Sequence, residues 1–410
     1  MDATDGAVRV GGSSALPRPP SERSADEGPR RLVGVNVLFV VPSLGFGGAE
    51  RQAFLLARHL MHREGAAVRL VSLGGLGGVA DLSHQAGIPC DRFALRHAEA
   101  GRLGQLRDVV RFAAYMRRGR AQVVLPYCMF QNVLCGLTWR LGGARLCIWN
   151  QRDEGRSRLE PWVEALAVGQ IREFISNSHH GAEFLRGTLG VRSERVRVIH
   201  NGIELVEPSL TRERWRSTLG VSDDAFVASM VANLHRFKDH RTLVMAWPEV
   251  VKRLDDQGRQ GHLLLAGKWG DQYDSLVQEV RDRGVASRVH FLGVVADVAG
   301  LLGASDLAVF SSVAEGLPNA VLEAMAMGLA VVATDHLGIR EAVGPSGLAL
   351  LARPGDPRDL ADKIVMAAVD PALRANLGRE GMARVRTEFA IDGMCQSMAD
   401  LIVEHLRRAP

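Results

Sequence analysis

The stretch Leu307-Ala308-Val309-Phe310-Ser311-Ser312-Val313-Ala314-Glu315-Gly316-Leu317-Pro318-Asn319-Ala320-Val321-Leu322-Glu323-Ala324-Met325 decides the fold. Its first four residues are an unbroken apolar run of buried-strand length. Gly316 permits a turn, and Pro318 suits the first helical position, where its missing N–H leaves no bond unmade. Strand, short loop and helix in that order form one limb of a parallel sheet covered by helices. Glu315 stands in the loop and Glu323 about one turn inside the helix. The helix's positive end therefore lies between two carboxylates.

The same alternation runs outward through the chain. Apolar runs fall at 35–41, 67–73, 122–127, 145–149, 174–176 and 196–199, then at 226–231, 263–266, 289–292, 307–310, 330–333 and 348–351. Helical patterns separate them, and the runs are continuous rather than alternating. The expected fold class is therefore α/β, with two doubly wound domains. A boundary is expected near Asn201-Gly202, ahead of a helix-like connection over 208–220. The expected organisation is a tail over 1–31, a first domain over 32–203, a second over 204–390 and a closing helix within 391–410. The tail is rich in Pro, Ser, Gly and Arg and has no apolar core of a secretory signal, so it reads as disordered.

Composition narrows the class. Of 410 residues, 47% are hydrophobic and 23% charged. Those values exclude a mainly disordered chain and a fibrous repeat. No run reaches the roughly 18–20 apolar residues of a membrane span. The five cysteines are odd in number and unpaired in spacing, which points to a reducing cytoplasm; a peripheral place on the inner membrane face would rest on the amphipathic stretch Leu103–Arg120. Residues 1–201 hold 27 arginines, no lysine and 18 acids, whereas the rest of the chain holds 23 basic and 28 acidic residues. A basic half suits an anionic partner, although an arginine-rich solvated surface gives the same count.

Two further segments bear on chemistry. After the first strand, Pro42-Ser43-Leu44-Gly45-Phe46-Gly47-Gly48-Ala49-Glu50 leads into a helix over 51–61. Gly47 and Gly48 would let backbone approach a phosphate at the helix start, or simply make a tight turn. Their spacing is not Gly-x-Gly-x-x-Gly, and no acid ends the next strand, so a dinucleotide site is disfavoured. A sugar nucleotide fits the second-half stretch directly. Glu315 would take sugar hydroxyls, the helix amides the phosphates and Glu323 the ribose, with Gly316, Leu317, Pro318 and Asn319 also in the donor site. As isolated glutamates, both would read as surface charges.

The segment from Glu315 to Glu323 resembles the Glu-x7-Glu motif of the retaining, sugar-nucleotide-dependent glycosyltransferases of family 4 (group 1). Gly47-Gly48-Ala49-Glu50-Arg51, Ile175-Ser176-Asn177-Ser178, His200-Asn201-Gly202-Ile203 and Val289-His290-Phe291-Leu292-Gly293 continue the resemblance. It implies the GT-B fold, two Rossmann-like domains with an interdomain cleft. The first domain would take the acceptor and the second the donor, a UDP- or GDP-sugar, with no metal or other cofactor. It also implies a closing helix that crosses back onto the first domain. Lys238 falls at the family's donor-phosphate lysine, Asn233 stands where many members have arginine, and Arg236 would supply that charge. Gly267 occupies the family's Gly-x-Gly-Pro turn, here without the proline. Many members carry a first-domain histidine where this chain reads Trp149-Asn150-Gln151-Arg152-Asp153-Glu154. Arg152 or Asp153 would then do part of its work. The implied activity is hexosyl transfer to a hydroxyl of a glycan or lipid-linked acceptor in cell-surface polysaccharide or glycolipid biosynthesis. The alternative is a non-catalytic sugar-nucleotide-binding partner subunit.

From Leu103 to Arg120 the pattern is an amphipathic helix. Leu103, Leu106, Val110 and Ala113 are expected inward and Arg107, Arg111 and Arg118 outward, facing either water or a membrane surface.

Overall fold

The computed structural model describes residues 30–95 and 101–408. They divide into two compact units. One is Ile203–Phe389; the other runs up to Gly202 and resumes at Ala390.

In the first domain the elements are β1 (Asn36–Val41), α1 (Gly48–His62), β2 (Ala67–Ser72), α2 (Gly78–Gln85), β3 (Cys90–Arg92), α3 (Gly101–Arg118), β4 (Val123–Pro126), α4 (Met129–Thr138), β5 (Leu146–Gln151), α5 (Pro161–Gln170), β6 (Glu173–Ser176), α6 (His179–Gly187) and β7 (Val196–Val198). The strands form a parallel sheet in the order β3-β2-β1-β4-β5-β6-β7. One face packs on α1 and α2 through Phe39, Leu56 and Val79, the other on α3 to α6 through Val40, Phe112, Val133, Ala167 and Leu185. Burial on both faces explains why β1 and β5 read as apolar runs.

The second domain has α7 (Arg212–Leu219), β8 (Phe226–Val231), α8 (His240–Asp255), β9 (Gly261–Ala266), α9 (Tyr273–Asp282), β10 (Val289–Gly293), α10 (Val298–Ala304), β11 (Leu307–Phe310), α11 (Asn319–Ala326), β12 (Val331–Thr334), α12 (Leu337–Gly347), β13 (Leu351–Ala352), α13 (Pro357–Val369) and α14 (Pro371–Glu388). Its parallel sheet has the order β10-β9-β8-β11-β12-β13. The last helix, α15 (Ile391–Arg408), returns to the first domain. Cys395, Met398 and Ile402 share a core with Phe39 and Leu56.

Several expectations need correction. Most of the tail over 1–31 lies outside the described residues, but Arg31 belongs to the folded domain, its Nε donating to Glu64 Oε2 at 2.9 Å. The first helix starts at Gly48 rather than residue 51, because Gly47 is its extended N-cap. The connection over 208–220 becomes helical only at Arg212, where the Thr211 hydroxyl caps the chain. The run over 348–351 is mostly a 3-10 turn, Leu348–Leu350, and only Leu351 and Ala352 pair with β12. Along α3, Ala113 is buried, but Leu103, Leu106 and Val110 are exposed; Phe112 and Met116 fill the core instead. No helix among the described residues is long and apolar enough to cross a membrane.

Burial also fixes two titrations. His240, at the start of α8, and His262, on β9, are held near pKa 4, chiefly because their charged forms would lose water. Both values lie below that of an unfolded histidine. Their contribution to stability is therefore complete above about pH 6.5 and declines as pH falls toward 4. At pH 5 the expected loss is on the order of 1–2 kcal/mol per histidine. Melting curves at pH 7.5 and pH 5 check this, and a His262→Gln variant with an undiminished pH slope would refute the assignment.

Candidate active site

In the second sheet the strand order reverses between β8 and β11: β9 continues one way from β8, and β11 lies on the other side. The carboxyl ends of neighbouring strands at such a reversal leave a crevice between diverging loops, where ligands of open α/β sheets bind. The loop after β8 carries Asn233, Arg236 and Lys238, and the loop after β11 carries Glu315 to Pro318.

Backbone bonds stitch the two loops together. Val313 N–H donates to Phe237 O at 3.0 Å, and the Ser311 hydroxyl donates to Asp239 O at 2.8 Å. Asp239 holds a left-handed backbone, φ 46°, so that its carboxylate can cap α8 through Thr242. This turn sets the direction of Lys238, whose Nζ donates to Glu315 Oε1. The Glu315 residue is 8% exposed, and the lysine side chain is more open.

Glycine makes the loop's path possible. A Cβ on Gly338, near the start of α12, would lie 1.6 Å from Gly316 O and 2.9 Å from Glu315 O. Gly316, Leu317 and Pro318 are buried in this turn. Pro318 is the extended N-cap of α11, φ −77° and ψ 110°, and Asn319 is the first helical residue, one place later than the sequence suggests. Glu323, half-buried, follows on α11.

The other assigned residues have protein partners. Asn233 Oδ1 accepts from Lys268 N–H at 2.9 Å, holding the turn after β9 to the loop after β8. Gly267 in that turn is irreplaceable sterically: a Cβ would lie 2.0 Å from Ala232 O. The Arg236 guanidinium lies over the Phe237 ring, 4.7 Å from its centroid.

In the first domain the reversal lies between β1 and β4. Gly47 caps α1, and Glu50 folds back over it; a Cβ at Gly47 would meet Glu50 Oε2 at 2.3 Å. Ser43 Oγ donates to Glu50 Oε1 at 3.2 Å. Burial raises the Glu50 pKa, opposed by this bond and by the charge of Arg152. Arg152 follows β5. Its Nη2 donates to Asn201 Oδ1 at 2.5 Å and its Nη1 to Asn150 Oδ1 at 3.4 Å, with the guanidinium over the Tyr127 ring. Burial lowers its pKa, and the Nε has no hydrogen-bond partner among the described residues. This edge therefore offers a half-buried guanidinium that feels the charge of a nearby carboxylate, suited to fixing an anionic or hydroxyl-bearing group.

The structure thus joins Lys238 to Glu315 and surrounds Arg152 with Glu50, Tyr127, Asn150 and Asn201. Sequence reasoning missed both groupings and the role of Gly338. Glu50, Asn150 and Asn201 each stand in a quoted motif, but nothing in the sequence links them to Arg152.

Comparison with known proteins decides the family. Residues 46–207 match the model described as Glycosyltransferase Family 4, and residues 225–370 the model described as Glycosyl transferases group 1. The chain belongs to family 4, group 1 of the glycosyltransferases. The family 4 match spans the Gly47 turn and Arg152; the group 1 match spans Lys238, Glu315 and Glu323. Similar to this family 4 chain is an N,N'-diacetylbacillosaminyl-diphospho-undecaprenol alpha-1,3-N-acetylgalactosaminyltransferase of Campylobacter jejuni, 30% identical over half of this chain and 54% of that protein. So is an N-acetyl-alpha-D-glucosaminyl L-malate synthase of Bacillus anthracis, 28% identical over 46% of this chain and 48% of that one. The chain spans about half the length of these curated relatives. In fold, it superposes on the Anabaena Alr3699/HepE structure with UDP and glucose at a TM-score of 0.78 and 23% identity, over 90% of this chain and 100% of that one. The architecture is GT-B.

Proposed function

We propose that this chain is a retaining glycosyltransferase that moves a hexose-type sugar from a UDP- or GDP-sugar to a hydroxyl of a glycan or lipid-linked acceptor. The product would belong to a cell-surface polysaccharide or glycolipid. The observation that carries this reading is the Lys238–Glu315 pair at the strand-order reversal of the second sheet. A cation and an acceptor of hydrogen bonds, already paired at a helix start, match the two ends of a sugar diphosphate. The names of relatives support a sugar-nucleotide donor and an acceptor on an isoprenoid diphosphate.

In this reading Lys238, with Arg236 nearby, lies against the diphosphate, and Glu315 accepts hydrogen bonds from the sugar hydroxyls. Asn319 and the first amides of α11 lie toward phosphate, and Glu323 accepts from the ribose hydroxyls. The acceptor hydroxyl attacks the anomeric carbon on the face the phosphate leaves. The new C–O bond forms as the old one breaks, and the hydroxyl proton passes to a departing phosphate oxygen. Negative charge grows on that phosphate, and a fixed ammonium there stabilises the transition state more than the ground state. Arg152 fixes the acceptor side of the reaction in the first domain.

The test is donor binding. A bound donor raises apparent stability by mass action, about 2.7 kcal/mol at a hundred times Kd. The melting temperature should rise with UDP- or GDP-sugars, and Glu323→Ala should remove most of that rise. No shift with any nucleotide sugar would refute the reading. Binding without transfer or donor hydrolysis would favour the partner-subunit alternative.

A further inference from the structure

The surroundings of Arg152 limit which ligand it can hold. Its Nη1 and Nη2 donate to the amide oxygens of Asn150 and Asn201, and its plane lies over Tyr127. Its Nε has no hydrogen-bond partner among the described residues. By itself, a half-buried guanidinium with a spare N–H would attract a phosphate or a carboxylate.

Two carboxylates of the same sheet edge oppose that attraction. Glu50 lies in the first turn of α1, its side chain turned back toward Gly47 and accepting from the Ser43 hydroxyl. Burial raises its pKa, but its own amide, the Ser43 hydroxyl and the charge of Arg152 each favour the ionised form. Asp153 follows Arg152 directly. Its Oδ1 accepts from Gln151 Nε2 at 2.9 Å and from Gly155 N–H at 2.8 Å, which fixes it in the loop after β5. Cys128, at the start of α4, feels all of these charges. Burial, and then the charges of Glu50 and Asp153, push its thiol up to about 12; Arg152 and Arg156 oppose this less. Arg156 is itself paired with Glu154 at 2.9 Å.

We infer that Glu50 determines the chemical class of the acceptor: the edge beside Arg152 admits the hydroxyls of an uncharged sugar and rejects a phosphate or carboxylate. This rests on the reading of Arg152 as the acceptor-side group. A hydroxyl both donates and accepts, so it satisfies a guanidinium N–H and a carboxylate oxygen together. A phosphate oxygen can only accept, and it meets Glu50 as a like charge. Arg152 supplies the donor, and Glu50 removes the preference for anions that the guanidinium would otherwise impose.

Calorimetric titration of the full chain with glucose 6-phosphate tests this without any transfer reaction. Glu50→Gln keeps an oxygen for Ser43 at a helix position that suits Gln as well as Glu, so the fold should persist. This variant should bind glucose 6-phosphate roughly tenfold or more tightly than the unaltered chain, because a nearby like charge is gone. Glu50→Asp, which keeps the charge, should show no such gain. Adding Arg152→Gln to Glu50→Gln should abolish the gain, which places the anion at Arg152 rather than at Lys238. Unchanged affinity in Glu50→Gln overturns the inference, as does an equal gain in Glu50→Asp or a gain that survives Arg152→Gln. A further readout needs no Glu50 variant: Arg152→Gln alone should leave the glucose 6-phosphate affinity of the chain unchanged, and a loss there also overturns the inference. The glycosyltransferase reading fails by a different result, the absence of a melting shift with nucleotide sugars.

Discussion

Replacing Glu315 or Lys238 by alanine should lower sugar transfer at least about a hundredfold, roughly 2.7 kcal/mol of barrier, while the fold persists. The two side chains stand 77 positions apart and meet only because β8 and β11 are neighbours. Each removal has a distinct effect. Without Glu315, the lysine keeps access to water through its more open side, so the stability cost stays near that of an exposed ion pair, below about 1 kcal/mol. Without Lys238, the proposed mechanism lacks the ammonium it sets against the leaving phosphate. Lys238→Arg, which keeps the charge, should recover part of the rate. Initial rates with a UDP- or GDP-sugar, taken beside melting curves, decide the matter; near-normal transfer by either alanine variant would remove the pair from the mechanism.

Gly338→Ala should be nearly as damaging, through position rather than charge. The added methyl would lie 1.6 Å from Gly316 O and inside contact distance of Glu315 O. Both neighbours are backbone, so no side-chain rotation relieves the overlap, and either α12 or the Glu315 loop must shift. Overpacking of this kind costs about 1–3 kcal/mol. A loop displaced by even about an ångström loses on the order of a hundredfold in rate. Gly303→Ala is the control. A Cβ there meets nothing nearer than Met327 Cε at 3.9 Å within a helix, and its stability should hold or rise. A Gly338→Ala chain with unaltered melting and transfer would show that the loop is not held as described.

How far each feature is legible in the sequence depends on how local it is. The strands over 226–231 and 307–310 are legible to the residue because both faces are buried and only the small Ser229 interrupts their apolar runs. The edge strand Cys90–Arg92 escapes notice: three residues, half-exposed and charged, carry no apolar run. Leu348 to Leu350 are apolar yet wind into a 3-10 turn, because only two residues beyond them reach β12. For α3, periodicity identifies two faces but not which one meets the core. Phe112 and Met116 outweigh three smaller aliphatic residues for that place. The same distinction governs the site. Glu315, Gly316 and Glu323 fall within one loop and one helix and can be read as a unit. The Lys238 contact, the ring of asparagines on Arg152 and the clash-free approach at Gly338 each need the tertiary fold. Gly338 is one glycine among 44, with nothing in its neighbourhood to distinguish it.

The helix α15 gives the first domain an unusual dependence on the far end of the chain. Its Cys395, Met398 and Ile402 fill a space among Phe39, Leu56 and their neighbours in the first domain's core. During synthesis, the first domain therefore leaves an apolar trough uncovered until Ile391–Arg408 have been made. The order in which this polypeptide is made is not the order in which it becomes stable.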